Sequence, residues 1–262
     1  MSNMIHHTAH IDETANVEDN VYVGPGAVVL GDTYIGQGSY IHNHATVGSK
    51  ECKTELGKNN IIFPGAVIGG TPQDLKYKGE KTLLQVGDNN IFRECVTINT
   101  GTVTGGEKTV IGNNNLIMAY CHVAHDCILG DHIVVANSTN FAGHVLVEDH
   151  VKIGGVCSFN QFVKVGQYAY IAGESSINKD ILPFTIARGS YAVSTVTNKI
   201  GLERAGFSAE EISEIHKGIR SLLKGEKTIE ETLELMSLNS NKTKHIDYLI
   251  NFVKSSERGI AK

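Results

Sequence analysis

The sequence contains no run of about 20 apolar residues, which is the length that a membrane-spanning helix needs. Residues 1–7 also lack the pattern of a secretory signal peptide, in which a charged segment precedes an apolar one. We therefore expect no membrane span and no export signal. The chain is predicted to be a cytoplasmic protein.

The chain also has few cysteines and fewer basic than acidic residues, which limits the disulfides, zinc sites and nucleic-acid contacts that it can form. Its 5 cysteines are an odd number without the paired spacing of a zinc site, so we expect reduced thiols. Its 23 basic residues are fewer than its 28 acidic ones, and the net charge of −5 argues against general nucleic-acid binding. The cysteines are Cys52, Cys95, Cys121, Cys127 and Cys157.

Aliphatic residues or Phe recur every six positions through most of the first 180 residues. A period of six is typical of neither a helix nor a single strand, so it indicates a repeat architecture. Glycine often follows the repeated residue, as in Val23-Gly24 and Ile111-Gly112. The repeated positions are Ile5, Ile11, Val17, Val23, Val29, Ile35, Ile41, Val47, Leu56, Ile62, Ile68, Val86, Phe92, Ile98, Ile111, Ile117, Val123, Leu129, Val135, Phe141, Val147, Ile153, Phe159, Val165, Ile171 and Ile177.

These hexads predict a parallel β-helix, a triangular prism in which three six-residue sides complete one 18-residue coil. The repeated side chain points into the prism, and Gly or Asn tolerates the tight bends between sides. Coils stack by parallel strand pairing at roughly 4.8 Å. We assign the β-helix to residues 1–190, with loops near 69–85 and 99–109 where the period breaks and function is expected. A stack of unrelated short strands is the alternative.

The remaining residues, 191–262, are predicted to form a small α-helical domain. Ser208-Ala-Glu-Glu211 is a capping box, and apolar residues at helical spacing follow it. A second helix is predicted to open at Thr228, and a third to span roughly residues 243–256. We expect these helices to cover an end or a side of the prism.

Eighteen-residue winding brings two histidine-containing segments, Cys121-His-Val-Ala-His-Asp-Cys127 and Asn140-Phe-Ala-Gly-His144, onto neighbouring coils. Residues 18 apart fall in one column, so imidazoles, a carboxylate and a glycine amide converge within about 10–15 Å. Such a group suits general acid–base chemistry. The columns contain His125 with Gly143 and Gln161, Asp126 with His144, and His122 with Asn140.

Four motifs carry a resemblance to one enzyme family. They are Pro-Gln73-Asp74-Leu-Lys76-Tyr77, His122-Val-Ala-His125-Asp126-Cys127, Ala142-Gly143-His144 and Asn160-Gln161-Phe162. Together they resemble the UDP-N-acetylglucosamine 3-O-acyltransferases, which take an acyl group from acyl carrier protein in the first step of lipid A synthesis. The resemblance runs from end to end and implies a left-handed β-helix. Hexapeptide repeats alone would be weaker evidence for this family, because sugar acetyltransferases and γ-class carbonic anhydrases share them.

The resemblance implies acyl transfer without a covalent intermediate. His125 would act as general base on the sugar 3-hydroxyl as it attacks the thioester. Asp126 would orient the imidazole, and the Gly143 N–H would stabilise the oxyanion. The only prosthetic group implied is the donor's phosphopantetheine thioester, so we expect no cofactor and no metal.

The resemblance also implies binding residues and an assembly. Asp74 would contact the sugar, and Gly173 would leave room for a long acyl chain. The active groove would lie between subunits of a homotrimer, where Asp74 could serve a neighbouring subunit's His125. The implied groove residues besides these are Gln73, Lys76, His122, His144 and Gln161, with Asn198 and Arg204 at the nucleotide. For the acidic carrier protein we predict a basic docking surface, with a solvated helix face as the alternative; it comprises Lys217, Arg220, Lys224 and Lys227.

Three positions depart from the family pattern. Asn99 stands where many members have His, Ile200 where Glu is expected, and Ala205 where a second Arg is expected. Phosphate or uracil contacts are therefore expected to differ, so a 3-amino UDP-sugar acceptor, or N-acylation of a later intermediate, is a rival hypothesis. A zinc enzyme that binds its metal through His122, His125 and His144 is another, and a scaffold trimer without catalysis is a third.

Overall fold

The computed structural model describes residues 4–225, 227–238 and 243–262. In these ranges, short strands wind as a left-handed parallel β-helix whose three sheets are the faces of a prism. The first face contains β1 (Met4–Ile5), β4 (Tyr22–Val23), β7 (Tyr40–Ile41), β10 (Ile61–Ile62), β13 (Ile91–Phe92), β16 (Leu116–Ile117), β19 (Val134–Val135), β22 (Lys152–Ile153), β25 (Tyr170–Ile171), β27 (Thr185–Arg188) and β28 (Val193–Thr197). The second contains β2 (His10–Ile11), β5 (Val28–Val29), β8 (Thr46–Val47), β11 (Val67–Gly70), β14 (Thr97–Asn99), β17 (His122–Val123), β20 (Asn140–Phe141), β23 (Ser158–Phe159) and β26 (Ser176–Ile177). The third contains β3 (Asn16–Val17), β6 (Thr33–Ile35), β9 (Lys53–Leu56), β12 (Leu83–Val86), β15 (Lys108–Ile111), β18 (Ile128–Leu129), β21 (Leu146–Val147) and β24 (Lys164–Val165).

Strand pairing confirms the predicted winding. Where no loop intervenes, partners lie 18 residues apart, as in Val134 with Lys152. The step lengthens where the period breaks, so that Ile61 pairs with Ile91. The first loop lies between β11 and β12, and the second lies between β14 and β15 and contains a 3-10 turn, Val103–Gly105. The two interruptions lie between residues 70 and 83 and between residues 99 and 108.

The repeated apolar side chains form a single core along the prism axis. Phe92, Phe141 and Ile35 are completely buried within it. The first coil is the exception, because no coil within residues 4–225 lies on its outer side, and Ile5 is 45% exposed. The hexad pattern therefore identifies the inward face of every strand that it covers.

Four helices follow the prism: α1 (Lys199–Arg204), α2 (Ala209–Lys224), α3 (Ile229–Leu238) and α4 (Lys244–Lys254). The capping box is present, since the Ser208 hydroxyl accepts from the Glu211 N–H and the Glu211 carboxylate accepts from the Ser208 N–H. The sequence pattern misses α1 and the antiparallel pair β27–β28, because the hexads end before them. The predicted boundary at residue 190 falls between these two strands and stays a prediction.

The helices pack on the last coils of the prism. Leu182 and Phe184 share a second apolar core with α2 and α4. Polar contacts fix the junction: the Tyr248 hydroxyl donates to the Glu148 carboxylate, and the Lys164 ammonium donates to the Ser255 carbonyl at 2.7 Å. Among the described residues, no helix has the length and apolar character needed to cross a membrane.

Candidate active site

The corner that follows β17 carries the buried pair His125 and Asp126. Three residues after the apolar anchor Val123, Asp126 has φ of 62°, in the left-handed region that these corners use repeatedly. Each of the two residues is 5% exposed, and His125 Nδ1 lies 2.7 Å from Asp126 Oδ2. Adjacency in sequence is thus converted into a direct contact between the two side chains.

Gly143 lies directly over the His125 ring on the next coil. A Cβ built on Gly143 would stand 2.6 Å from His125 Cε1 and 2.9 Å from Nε2, so only glycine leaves room for the imidazole. Within the described part of the chain, the Gly143 N–H has no hydrogen-bond acceptor. An unpartnered donor therefore borders the imidazole.

His144 and His122 lie near the pair. The His144 ring meets His125 edge-on at 5.2 Å between centroids and stacks on Phe162 at 4.4 Å. His122 Nδ1 is hydrogen-bonded to the Thr97 hydroxyl at 2.7 Å. Burial lowers the pKa of both His122 and His144. Both are therefore neutral at neutral pH, and each can donate or accept one hydrogen bond.

The Asp126 carboxylate is held ionised. Burial by itself would raise its pKa, but hydrogen bonds from His125 and Thr102, with the nearby His144, bring the pKa below its usual value. The Thr102 N–H donates to Oδ1 at 2.7 Å, and the Thr102 hydroxyl donates to Oδ2 at 2.6 Å. An ionised acceptor at Nδ1 keeps the proton on that nitrogen and leaves Nε2 of His125 as the basic atom.

The first loop brings Asp74 toward the same corner. Its charge is close enough to act on the pKa of His144 within one chain, and its carboxylate accepts from the Lys76 N–H at 2.9 Å. Gln73 and Lys76 are exposed beside it. Gln161, one coil beyond Gly143, is exposed as well.

Asn99, at the start of the second loop, is hydrogen-bonded to the first loop. Its Nδ2 donates to the Thr71 carbonyl at 2.8 Å, while its Oδ1 is buried without a hydrogen-bond partner among the described residues. The residue that departs from the family pattern therefore holds the first loop against the prism.

Asn198 and Arg204 lie elsewhere in the chain. They line a groove beside α1 together with Tyr170 and Ile200. The Asn198 side chain caps α1, since its Oδ1 accepts from the Gly201 N–H at 3.2 Å, and its Nδ2 donates to the Tyr168 carbonyl at 2.9 Å. The residues that line this groove do not include His125, Asp126 or Gly143.

The remaining predicted residues are at the surface. Gly173 is an exposed corner residue, and a Cβ there would lie 3.2 Å from the Gly155 carbonyl oxygen. The side chains of the predicted docking surface on α2 and just beyond it are all exposed; they are Lys217, Arg220, Lys224 and Lys227.

Sequence reasoning misses the side chains that support the pair, chiefly Thr102, Thr97 and Phe162. Thr97 and Phe162 precede and follow repeated residues by one and three positions, so column arithmetic could have found them. Thr102 lies in an irregular loop, where no period predicts a neighbour.

Comparison with known proteins gives consistent matches along the chain. A family model described as UDP N-acetylglucosamine O-acyltransferase, domain 2, matches residues 180–261, and a bacterial transferase hexapeptide model (six repeats) matches residues 14–49 and 108–143. An acyl-[acyl-carrier-protein]–UDP-N-acetylglucosamine O-acyltransferase of Thermodesulfovibrio yellowstonii is 43% identical, over 99% of this chain and 100% of its own. The protein of the same name from Saccharophagus degradans is 43% identical, over 98% and 99%. The solved structure of the Francisella novicida UDP-N-acetylglucosamine acyltransferase superposes with a TM-score of 0.95 at 34% identity, covering 98% of this chain and 94% of that one.

Proposed function

The chain belongs to the acyl-[acyl-carrier-protein]–UDP-N-acetylglucosamine O-acyltransferase family and catalyses that acyl transfer, the first step of lipid A synthesis; we propose that His125 is its general base. One observation carries the proposal: the buried pair of His125 and Asp126 lies directly beneath the backbone of Gly143. A base and an unpartnered N–H thus lie close together on neighbouring coils, and ester formation from an alcohol and a thioester needs both groups.

The proton path follows from the hydrogen bonds of the pair. Because Nδ1 of His125 donates to Asp126, the lone pair on Nε2 accepts the proton of the sugar 3-hydroxyl. The sugar oxygen attacks the thioester carbonyl and forms a tetrahedral oxyanion. When that intermediate collapses, the C–S bond breaks, and the proton on Nε2 passes to the departing phosphopantetheine sulfur.

The Gly143 N–H stabilises the oxyanion in this proposal. Losing one such donor typically costs roughly 3–4 kcal/mol of transition-state stabilisation. Because the amide belongs to the rigid coil, it is aligned before the substrate arrives.

The nearby thiols do not take part. Burial raises the pKa of Cys127 to about 12, and its thiol donates to the Ala142 carbonyl at 3.2 Å. Burial also raises the pKa of Cys121. A protonated, buried thiol is a poor nucleophile, so the acyl group passes directly from donor to sugar.

We place the remaining substrate contacts at the predicted residues. Asp74, with Gln73 and Lys76, approaches the sugar from the first loop, while Gly173 leaves room for a long acyl chain. His122, His144 and Gln161 line the groove on the prism. Asn198 and Arg204 receive the nucleotide.

The separation of Arg204 from His125 in one chain supports a homotrimer whose sites lie between subunits. Large apolar side chains on the outer faces suit such an interface: Tyr40, Val67, Ile128 and Tyr170 are between 36% and 45% exposed. The donor, acyl carrier protein, docks on the basic surface of α2 in this proposal. We place the reaction in the cytoplasm, in keeping with five unpaired cysteines.

The test uses two variants, each of which damages one part of the proposed shared site. His125→Ala should reduce transfer by about 10²–10⁴-fold, as expected for loss of a general base, without dissociating the trimer. Arg204→Ala should raise the Michaelis constant for the sugar nucleotide. Mixed trimers of the two variants should regain activity, because some interfaces then pair an intact His125 with an intact Arg204. Full activity of His125→Ala would overturn the assignment of the base, and failure of mixing would overturn the shared site.

Two rival hypotheses, a zinc enzyme and a 3-amino UDP-sugar acceptor, can be compared with the structure and the relatives. The three histidines of the zinc hypothesis do not form one ligand group: the described residues whose ligand atoms lie within 4.8 Å of one another are His125, Asp126 and His144, and Asp126 already accepts from Thr102. Ile200 and Ala205 suggest a 3-amino UDP-sugar acceptor, whereas the relatives are named for acyl transfer to an oxygen of UDP-N-acetylglucosamine. Mass spectrometry of products from each sugar nucleotide and a ladder of acyl thioesters decides the acceptor and the chain length.

A further inference from the structure

The second loop meets the site at the carboxylate of Asp126. Thr102 holds both oxygens of that carboxylate, with its N–H on Oδ1 at 2.7 Å and its hydroxyl on Oδ2 at 2.6 Å. Thr102 is itself only 3% exposed, so water does not compete for these bonds. Oδ2 is also the oxygen that faces His125 Nδ1.

Two further residues of the loop region fit closely around Asp126. A Cβ on Gly105 would lie 2.0 Å from the carboxyl carbon of Asp126, so the 3-10 turn lies flat against the carboxylate. The Thr109 hydroxyl accepts from the Asp126 N–H at 2.8 Å. The loop thus surrounds Asp126 on the sides that the prism leaves open.

We propose that Thr102 is a positioning residue for the reaction, because its two hydrogen bonds fix the plane of the Asp126 carboxylate and, through it, the His125 ring. The inference depends on the proposed role of His125 as general base. Thr102 does not touch the reacting atoms; it acts through Asp126.

The physical reason is the freedom of a carboxylate that has one partner. With only His125 as partner, the Asp126 carboxylate could rotate about its Cβ–Cγ bond, and the imidazole could follow. Two donors on one rigid segment remove that rotation, so Nε2 stays aimed at the position below Gly143. A displacement of about 1 Å at such a site costs on the order of 10²-fold in rate.

The same bonds affect the pH dependence of the base. Without the Thr102 hydroxyl, more of the negative charge on Oδ2 is directed at His125, so the protonated imidazole is better stabilised. The other ionisable groups facing the pair are His122 and His144, with Asp74 acting on His144, and the variant leaves all three unchanged. The acid limb of kcat/KM should therefore move to higher pH.

The experiment compares Thr102→Val, which removes the hydroxyl, with Thr102→Ser, which retains it. Because a misalignment of up to about 1 Å at such a site costs up to about 10²-fold in rate, Thr102→Val should lower kcat by roughly 10- to 100-fold and shift the acid limb upward. Thr102→Ser should restore both values. The matched control is Thr185→Val, because Thr185 is also fully buried and donates its hydroxyl to the Leu182 carbonyl, remote from the pair.

The outcomes separate the inference from the function on which it depends. Wild-type kcat and an unmoved pH profile in folded Thr102→Val would overturn the inference, as would a loss in Thr102→Ser equal to that in Thr102→Val. If Thr102→Val does not form trimers, Thr102→Ala is measured by the same criteria. Full transfer by His125→Ala would instead refute the general base itself, whatever the Thr102 variants do.

Discussion

Replacing Gly143 by Ala tests the stacking of the imidazole beneath the glycine backbone. The added Cβ would lie 2.6 Å from His125 Cε1, whereas ordinary contacts begin at 3.4 Å, so the ring must move by about 0.8 Å. Because His125 is held by Asp126, that shift moves Nε2 out of the position in which it accepts the proton of the sugar hydroxyl. A displacement near 1 Å costs on the order of 10²-fold, and we expect kcat to fall by that factor. The backbone N–H remains in Gly143→Ala, so a fall in kcat would be due to displacement of the His125 ring and not to loss of the N–H.

The measurement is steady-state kcat with carrier-bound donor, together with the thermal midpoint of unfolding. Gly155→Ala is a suitable control, since Gly155 also stands two residues after an apolar anchor and its Cβ would approach nothing more closely than the Asn137 carbonyl oxygen, at 3.2 Å. That contact requires a shift of a few tenths of an ångström, so kcat should stay near the wild-type value. A folded Gly143→Ala trimer with wild-type kcat would refute the close stacking.

Two further predictions concern charge. The pKa of Asp126 is lowered on folding, so its ionised form stabilises the protein above the unfolded-state pKa near 3.8, and this contribution disappears as the pH falls through the folded-state pKa. Denaturant unfolding between pH 2 and pH 6 should therefore show a shallower acid loss of stability in Asp126→Asn than in wild type, and parallel curves would contradict the pKa assignment. Replacing Lys217 and Lys224 by Glu should raise the Michaelis constant for carrier-bound donor by roughly three- to tenfold at low salt and by less at high salt. Replacing the exposed Lys50 and Lys58 by Glu should leave that constant unchanged. Equal effects of the two pairs of substitutions would refute the proposed docking surface.

The position of the base shows how far a sequence period can specify a site. Each hexad is a flat side of nearly constant length, so residues 18 apart must fall in one column. This repetition, together with the motifs, places His125 under Gly143 and Asp126 beside His144 without any knowledge of the fold's details. The same regularity predicts the buried face, because every anchor from Val23 to Ile177 has the same environment.

The period does not extend to the loops or the tail. Thr102 reaches Asp126 from an irregular segment, and its approach depends on how that segment folds back on the prism. The strands β27 and β28 and the short helix α1 lie beyond the last hexad, so their antiparallel pairing and the Asn198 cap carry no periodic signal. Non-local packing decides these contacts.

The amino-acid sequence alone therefore determined the winding, the inward face and the convergence of the histidines, because those features repeat locally along the chain. Only the tertiary structure decided which donors hold the Asp126 carboxylate, and that Arg204 lies apart from His125 within one chain. Those facts depend on residues brought together across loops of variable length, where distance in sequence no longer predicts distance in space.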